Sequence, residues 1–231
     1  MTGSGEQVLV VGPSWVGDMV MSQVLYRRLQ ETRPGLSIDV LAPAWSEPLL
    51  ARMPEVRRAI PMPLGHGELG LARRWRLGRE LRSQHYDQAI LLPNSLKSAL
   101  VPWFAGIARR TGWRGEMRYG LLNDMRLLDE QALPLMVQRF AALGAAPNEA
   151  LPARLPAPRL VVDPDQARRG IGGALVADAL AWLSRGGATV ALVNTQDKNR
   201  AALGLYLACG FHLEPSGLTV MERPLRSDRD R

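Results

Sequence analysis

Gln7–Gln30 reads QVLVVGPSWVGDMVMSQVLYRRLQ. Its opening, Gln7–Gly12, is a short apolar, β-branched run that ends at Gly12-Pro13, as a strand buried on both faces does. From Asp18 the period changes: Met19, Val20, Val24, Leu25 and Leu29 recur at helical spacing as far as Gln30. Arg33-Pro34-Gly35 stops that helix, because Pro34 disfavours helical geometry at Arg33. A buried strand running through a glycine turn into a helix is the first unit of an open, mostly parallel α/β sheet.

Working outward, Ser37–Leu41 reads as a second strand. Ser46–Met53 reads as a short helix with Ser46 as its N-cap. Arg57–Pro61 is a short strand, Leu69–Gln84 an amphipathic helix, and Ala89–Leu92 another buried strand. Helices follow from Ser95 to about Ala105 and over Pro134–Leu143. After Gly144 the texture changes: Ala145–Pro158 (AAPNEALPARLPAP) is rich in Ala and Pro and has no apolar period. The β/α rhythm then resumes with a strand at Leu160–Val162, a helix at Gly172–Arg185 and a strand at Ala188–Val193. A helix at Asn199–Cys209 and a strand at Gly217–Glu222 complete it. The expected organisation is an α/β domain over 1–150, a linker over 151–158, a smaller α/β unit over 159–225 and a charged tail over 226–231.

Composition narrows the function classes. Hydrophobic residues make up 46% of the 231, enough for a core. One cysteine, Cys209, excludes an internal disulfide and suits a cytoplasmic location. The N-terminus lacks a secretory pattern, and no apolar run reaches membrane-spanning length. A net charge of +7, mostly arginine, favours anionic partners. No nucleic-acid motif accompanies it, so no nucleic-acid partner is expected. His66, His85 and His212 lack metal-ligand spacing, so no metal is expected.

Position nominates candidate site residues. In an open α/β sheet, ligands bind beyond the carboxyl ends of the strands. The loop with Ser14, Trp15, Gly17 and Asp18 lies there and opens a helix. Asp18 is a candidate proton acceptor for a hydroxyl nucleophile, or a simple helix cap. Asn94, Ser95 and Lys97 likewise follow a buried strand and begin a helix, a place for phosphate or sugar. Arg109, Arg110, Arg114 and Arg118 sit in the glycine-punctuated segment RRTGWRGEMRYG. They suit phosphate and carboxylate, or form a solvated loop pairing with Glu116 and Asp124. Arg73, Arg74, Arg76, Arg79 and Arg82 are either the wet face of helix 69–84 or a contact with an anionic membrane surface. Farther on, Arg168-Arg169-Gly170-Ile171-Gly172-Gly173 leads into a helix, and its backbone amides could form an anion nest.

Four strings carry a resemblance. GPSWVGDMVMSQVLYRRLQ (12–30), DVLAPAWSEPLLARMPEV (39–56), AIPMPLGHGELG (59–70) and LPNSLKSALVPWFAGIARRTGWRGEMRYGLLND (92–124) resemble the lipopolysaccharide heptosyltransferase II family, glycosyltransferase family 9. The resemblance spans about Val8 to Phe140. It implies a GT-B fold of two Rossmann-like domains, this one facing the acceptor. It implies transfer of heptose from ADP-heptose to the lipopolysaccharide inner core with inversion, by direct attack and without a metal or other cofactor. Asp18 becomes the candidate general base. Ser14, Trp15, Gly17, Asn94, Ser95, Lys97, Arg110, Arg114 and Arg118 become candidate substrate-binding residues. The family's donor domain has no counterpart in the chain, so transfer by the chain alone is expected to be weak or absent.

A second resemblance begins near Leu160. The turn at Arg168–Gly173, followed by ALVADALAWLSRGGATVALVNTQDKNRAALGLYLACGFHLEPSGLTVMERPL (174–225), is similar to the C-terminal half of a GNAT acetyltransferase. Asn199, Ala202, Tyr206, Gly210 and Phe211 meet that family's pattern. The resemblance implies acetyl-CoA pyrophosphate on the amides of Arg168, Arg169, Gly170, Ile171, Gly172 and Gly173, with Asn199 beside the pantetheine arm. Tyr206 would protonate the leaving thiolate; the alternative is a helix residue packing on the sheet. The family's usual Gln or Arg three positions before the first glycine is Ala167 here, which weakens the site. The family's N-terminal strands have no counterpart, so this partial unit is expected to be marginally stable and to self-associate through its incomplete sheet. A third reading is a fusion that catalyses nothing. In all three the chain is expected in the cytoplasm, with contact at the inner membrane's cytoplasmic face left open.

Overall fold

The computed structural model describes residues 5–65, 68–147, 149–161, 165, 169–185, 187–195, 199–215 and 219–224. The chain divides into two compact units, Met1–Val161 and Val162–Arg231.

The first unit is a six-stranded sheet in the order β3-β2-β1-β4-β5-β6. Its strands are β1 (Gln7–Val11), β2 (Ser37–Pro43), β3 (Val56–Met62), β4 (Gln88–Leu91), β5 (Arg109–Trp113) and β6 (Asp124–Arg126). Every neighbouring pair runs parallel. The helices are α1 (Val16–Thr32), α2 (Glu47–Leu50), α3 (Leu71–Leu81), α4 (Leu96–Phe104) and α5 (Met136–Leu143). Strand alternation explains the two cores. Val8 and Val10 of β1 point into one, with Met19, Leu25 and Leu29 of α1 and Phe140 and Leu143 of α5. Leu9 and Val11 point into the other, with Leu81 of α3 and Ala99 and Val101 of α4. Each fully buried aliphatic side chain contributes about 1.5–3 kcal/mol.

Several expectations shift. α1 starts at Val16, two residues before Asp18, with Trp15 at the N-cap. Asp18 therefore sits in the first helical turn and is not the cap. Ser46 does not cap α2: its hydroxyl donates to the Pro43 carbonyl at 2.6 Å. The arginine-rich segment after Ile107 is β5, a sheet strand with Thr111, Gly112 and Trp113 buried, where the sequence suggested a loop. Thr111 earns that place by accepting from Gln88 Nε2 and donating to Asp124 Oδ2, both at 2.8 Å.

Residues 149–161 have an irregular backbone, as a linker would, yet they pack within the first unit. The Gln23 side chain donates to the Arg159 carbonyl and accepts from its N–H, at 2.8 and 2.6 Å. Arg27 donates to the Ala157 carbonyl, and the Val161 N–H to the Arg52 carbonyl. Leu151, Leu155 and Leu160 pack on the core. Leu160 and Val161 are not strand, and Val162 lies outside the described residues.

The second unit contains α6 (Ile171–Arg185), β7 (Val190–Asn194), α7 (Arg200–Ala208), β8 (His212–Pro215) and β9 (Thr219–Pro224). Its antiparallel sheet has the order β7-β9-β8. Leu180, Ala191, Phe211 and Met221 form a small core, while Leu175, Leu192 and Leu213 stay more than half exposed.

Candidate functional site in the first unit

The strand order reverses direction between β1 and β4. From β1 the chain winds outward through β2 to β3; from β4 it winds the other way through β5 to β6. A crevice therefore opens at the carboxyl ends of β1 and β4, where the two following loops diverge. A cleft of about 800 Å³ lies there. Ser14, Trp15 and Asp18 line it from the β1–α1 side; Asn94, Ser95 and Lys97 line it from the β4–α4 side. Two segments that the sequence nominated separately thus face one space.

Asp18 is partly buried, and its carboxylate has no hydrogen bond or ion pair among the described residues. The Lys97 ammonium is likewise without an ion-pair partner among them. Opposite charges left unpaired within one folded unit are available to a ligand. Gly17 precedes Asp18 in the first turn, and a Cβ there would meet nothing within 4 Å. Packing does not require glycine at this position, and the space beside its backbone is open.

The α4 N-terminus departs from expectation. Its Leu96 N–H donates to Glu116 Oε2 at 2.7 Å. A carboxylate of the chain already occupies the place proposed for phosphate, held there by left-handed backbone at Glu116 and Met117 (φ 39° and 50°).

The arginines divide by burial. Arg118 is fully buried and away from the cleft lining. It donates to the carbonyls of Pro93 (2.8 Å), Trp113 and Gly115, to Asn94 Oδ1 (3.2 Å) and to Ser98 Oγ (3.3 Å). Burial pushes its pKa down, with Glu116 opposing. Its guanidinium is the clasp that holds the Asn94 loop. Arg110 is also withdrawn from the cleft: it donates to the Leu121 and Ile107 carbonyls, and burial lowers its pKa. Arg114 is exposed on the loop and does not line the cleft. Arg109 pairs with Asp124 at 2.9 Å, as the structural alternative required.

Sequence reading gave Arg74 and Glu116 other roles and did not nominate Trp45, Trp113 or Arg139, yet all five are in the cleft wall. Arg74 is 4% exposed and donates to the carbonyls of Leu69 (2.6 Å), Lys97 (3.1 Å) and Glu68 (3.2 Å). Its signal was present: Arg74, Leu77, Gly78 and Leu81 share the inward stripe of α3. Among the described residues no cluster of His, Cys, Asp and Glu could hold a metal, and no helix is long and apolar enough to cross a membrane.

The comparisons bear on this unit directly. The sequence profile of glycosyltransferase family 9 (heptosyltransferase) matches residues 74–174. Lipopolysaccharide heptosyltransferase 2 of Escherichia coli K12 is 67% identical over 137 residues, 59% of this chain and 39% of that protein. The first unit is similar to the family 9 heptosyltransferases. Lipooligosaccharide heptosyltransferase 2 of Haemophilus influenzae is 60% identical over 136 residues, again 39% of its length. A structure of the E. coli ADP-heptose LPS heptosyltransferase II superposes with a TM-score of 0.64 at 51% identity, covering 76% of this chain and 50% of that one. A family 9 glycosyltransferase from Veillonella parvula shares the fold at a TM-score of 0.57 and 13% identity, covering 82% and 52%. The chain thus spans about 39% of the length of the curated heptosyltransferases it matches.

The second unit has its own match: the profile of the acetyltransferase (GNAT) family covers residues 158–211. Gly170 is left-handed (φ 77°) and α6 starts at Ile171. The first-turn amides of Ile171, Gly172 and Gly173 have no acceptor within the helix. A Cβ at Gly173 would meet open space, whereas one at Gly172 would lie 3.1 Å from Leu205 Cδ2. Arg169 is exposed before this turn; Arg168 lies outside the described residues, as do His66 and the tail 226–231. Asn199 caps α7, its Oδ1 accepting from the Ala202 N–H at 3.2 Å. Tyr206 packs its ring edge-on against Phe211 at 5.6 Å, within the small core.

Proposed function

We propose that the first unit is the acceptor-side half of an inverting heptosyltransferase acting on the lipopolysaccharide inner core, with ADP-heptose as donor. The observation that carries the reading is the Asp18 carboxylate, unpaired in the cleft at the β1/β4 switch point, in a chain 67% identical over 137 residues to a lipopolysaccharide heptosyltransferase 2. In this reading an acceptor hydroxyl oxygen attacks the anomeric carbon of the heptose. Its proton passes to Asp18, the bond to ADP breaks on the opposite face, and no glycosyl-enzyme forms. Ser14, Trp15, Asn94, Ser95 and Lys97 bind the acceptor. Gly17 leaves room for it, and Arg118 acts through the Asn94 loop. The expected transfer by the chain alone is weak or absent.

Two measurements test this. Truncated-core acceptor should bind in a calorimetric titration, and Asp18→Asn should retain that binding. With radiolabelled ADP-heptose, any transfer should fall about 10²–10⁴-fold in Asp18→Asn. Transfer that survives the substitution would remove Asp18 as base; robust transfer by the unaltered chain would refute the expected weakness.

The second unit supports a second reading, an acetyl-CoA-binding module or N-acetyltransferase. It rests on the left-handed Gly170, the free amides that follow and the match over residues 158–211. Titration with acetyl-CoA decides it: no heat eliminates the module. A chain that bound neither acceptor nor acetyl-CoA would leave the non-catalytic fusion.

A further inference from the structure

We propose that the second unit dimerises by pairing β7 with β7 of a second copy of the chain, in the register that sets Leu192 opposite Leu192. The self-association expected from the sequence thereby acquires a strand and a register. It depends on neither proposed activity.

The observation behind it is a strand edge left open and unguarded. In the order β7-β9-β8, β7 pairs with β9 along one edge, and no strand among the described residues pairs with the other. Such an edge presents a row of unpaired N–H and C=O groups, which folded proteins usually blunt with charge or proline. β7 reads VALVN and has neither. The opposite edge strand, β8, reads HLEP: Glu214 adds a charge and Pro215 removes a donor. The apolar run that leads toward α6, Leu160-Val161-Val162, has its first two residues committed elsewhere. The Val161 N–H donates to the Arg52 carbonyl at 2.8 Å, and Leu160 packs on the core of the first unit.

Face and symmetry select a second copy as the occupant. Alternate residues of β7 point opposite ways. Ala191 is buried and Val193 packs on the small core, whereas Val190 and Leu192 are 42% and 63% exposed. Residues directly opposite across an antiparallel pair share a face, so a two-fold partner can pair only residues of like parity. An axis through Leu192 pairs the whole five-residue strand: Leu192 with Leu192, Ala191 with Val193, Val190 with Asn194. The helices of both copies then cover the same face, and the two small cores join edge to edge. The seam contains no charged residue to oppose its own copy. Each unit gains by this, because a core built on Leu180, Ala191, Phe211 and Met221 is marginal alone. With β8 blunted, assembly closes at two copies.

The test is sedimentation velocity of the full chain over a range of concentrations. Strands of this length form a small interface, so the dissociation constant should be about micromolar. The mass should rise from 25.4 kDa toward twice that value with concentration. Leu192→Lys places like charges opposite each other at the axis and should weaken association at least about tenfold. Leu192→Glu should do the same, and an equimolar mixture of the two variants should restore a dimer, which unfolded variants could not do. Leu213→Lys, on the exposed edge strand β8, should leave association unchanged. A parent chain still monomeric at about 1 mM would overturn the proposal. So would assembly beyond two copies, association indifferent to Leu192→Lys, no recovery in the mixture, or loss through Leu213→Lys instead. Association is measured without acceptor or acetyl-CoA, so its failure leaves both activity readings standing, and their failure leaves this one standing.

Discussion

Gly78→Ala probes the α3–α4 helix pair, which contributes Arg74 and Lys97 to the cleft wall. An added Cβ would lie 2.5 Å from Phe104 Cβ, 2.9 Å from the Val101 carbonyl oxygen and 3.1 Å from the Ala105 nitrogen. Carbon atoms normally approach no closer than about 3.5–4.0 Å, so the overlap is on the order of 1 Å. The obstructing atoms are backbone and a Cβ, so no flexible side-chain tip can swing away. α3 and α4 must separate. Overpacking of this kind costs about 1–3 kcal/mol. Alanine recovers about 1 kcal/mol through its helix propensity. The net expectation is a loss of up to about 2 kcal/mol, which at a urea m-value of about 2 kcal/mol/M lowers the midpoint by up to about 1 M. Tryptophan fluorescence reports it, since Trp15, Trp45, Trp75, Trp103 and Trp113 belong to the first unit. Gly17→Ala is the control: its Cβ meets nothing within 4 Å, so stability should stay level or rise by a few tenths of a kcal/mol. A Gly78→Ala chain more stable than the parent by about 1 kcal/mol, the gain expected at an unobstructed helix position, would refute the α3–α4 packing described above.

Gly17→Ala should also weaken acceptor binding if the acceptor approaches that backbone, and an unchanged titration would remove Gly17 from the site. Asp124 gives an acid signature. Burial raises its pKa, but hydrogen bonds from Arg126, Thr111 and Arg109 outweigh that and hold it at about 2. Its contribution, on the order of 2 kcal/mol, is fully present above the unfolded value near pH 4 and is lost as pH falls toward 2. Asp124→Asn should flatten that part of the stability profile in urea titrations between those limits. Asp39 is fully buried. Burial raises its pKa, yet hydrogen bonds from Arg57 and Tyr86 and the charges of Arg57 and Arg58 hold it below the usual range. Asp39→Asn should therefore also reduce the acid sensitivity of unfolding. Arg118→Lys should cost about 2–3 kcal/mol in urea unfolding, because three donors on one ammonium cannot serve the five acceptors that the guanidinium fork reaches.

Legibility followed the strength of the local pattern. β1 and α1 were readable because an apolar run and a helical period each appear without long-range help. β5 was not, because Arg109, Arg110 and Gly112 carry no strand signal; its register comes from pairing with β4 and from Thr111 bridging Gln88 and Asp124. Ser14, Trp15, Asp18, Asn94, Ser95 and Lys97 were readable as residues lining one cleft because the carboxyl ends of parallel strands face one crevice. Arg118 and Arg110 were not readable as clasps, since an arginine in a loop looks the same whether its fork meets a ligand or a carbonyl.

By itself, then, the order of apolar and polar residues determined the α/β class, the β1–α1 unit and the two segments that flank the cleft. Those properties depend on period and chain direction, which are local. Only the tertiary structure decided which charges remain unpaired in the cleft, that Glu116 occupies the α4 N-terminus, and that Arg74 and Arg118 turn inward. The physical reason is that a charged side chain's role depends on which carbonyls and carboxylates come within about 3 Å, and those partners are brought together by folding.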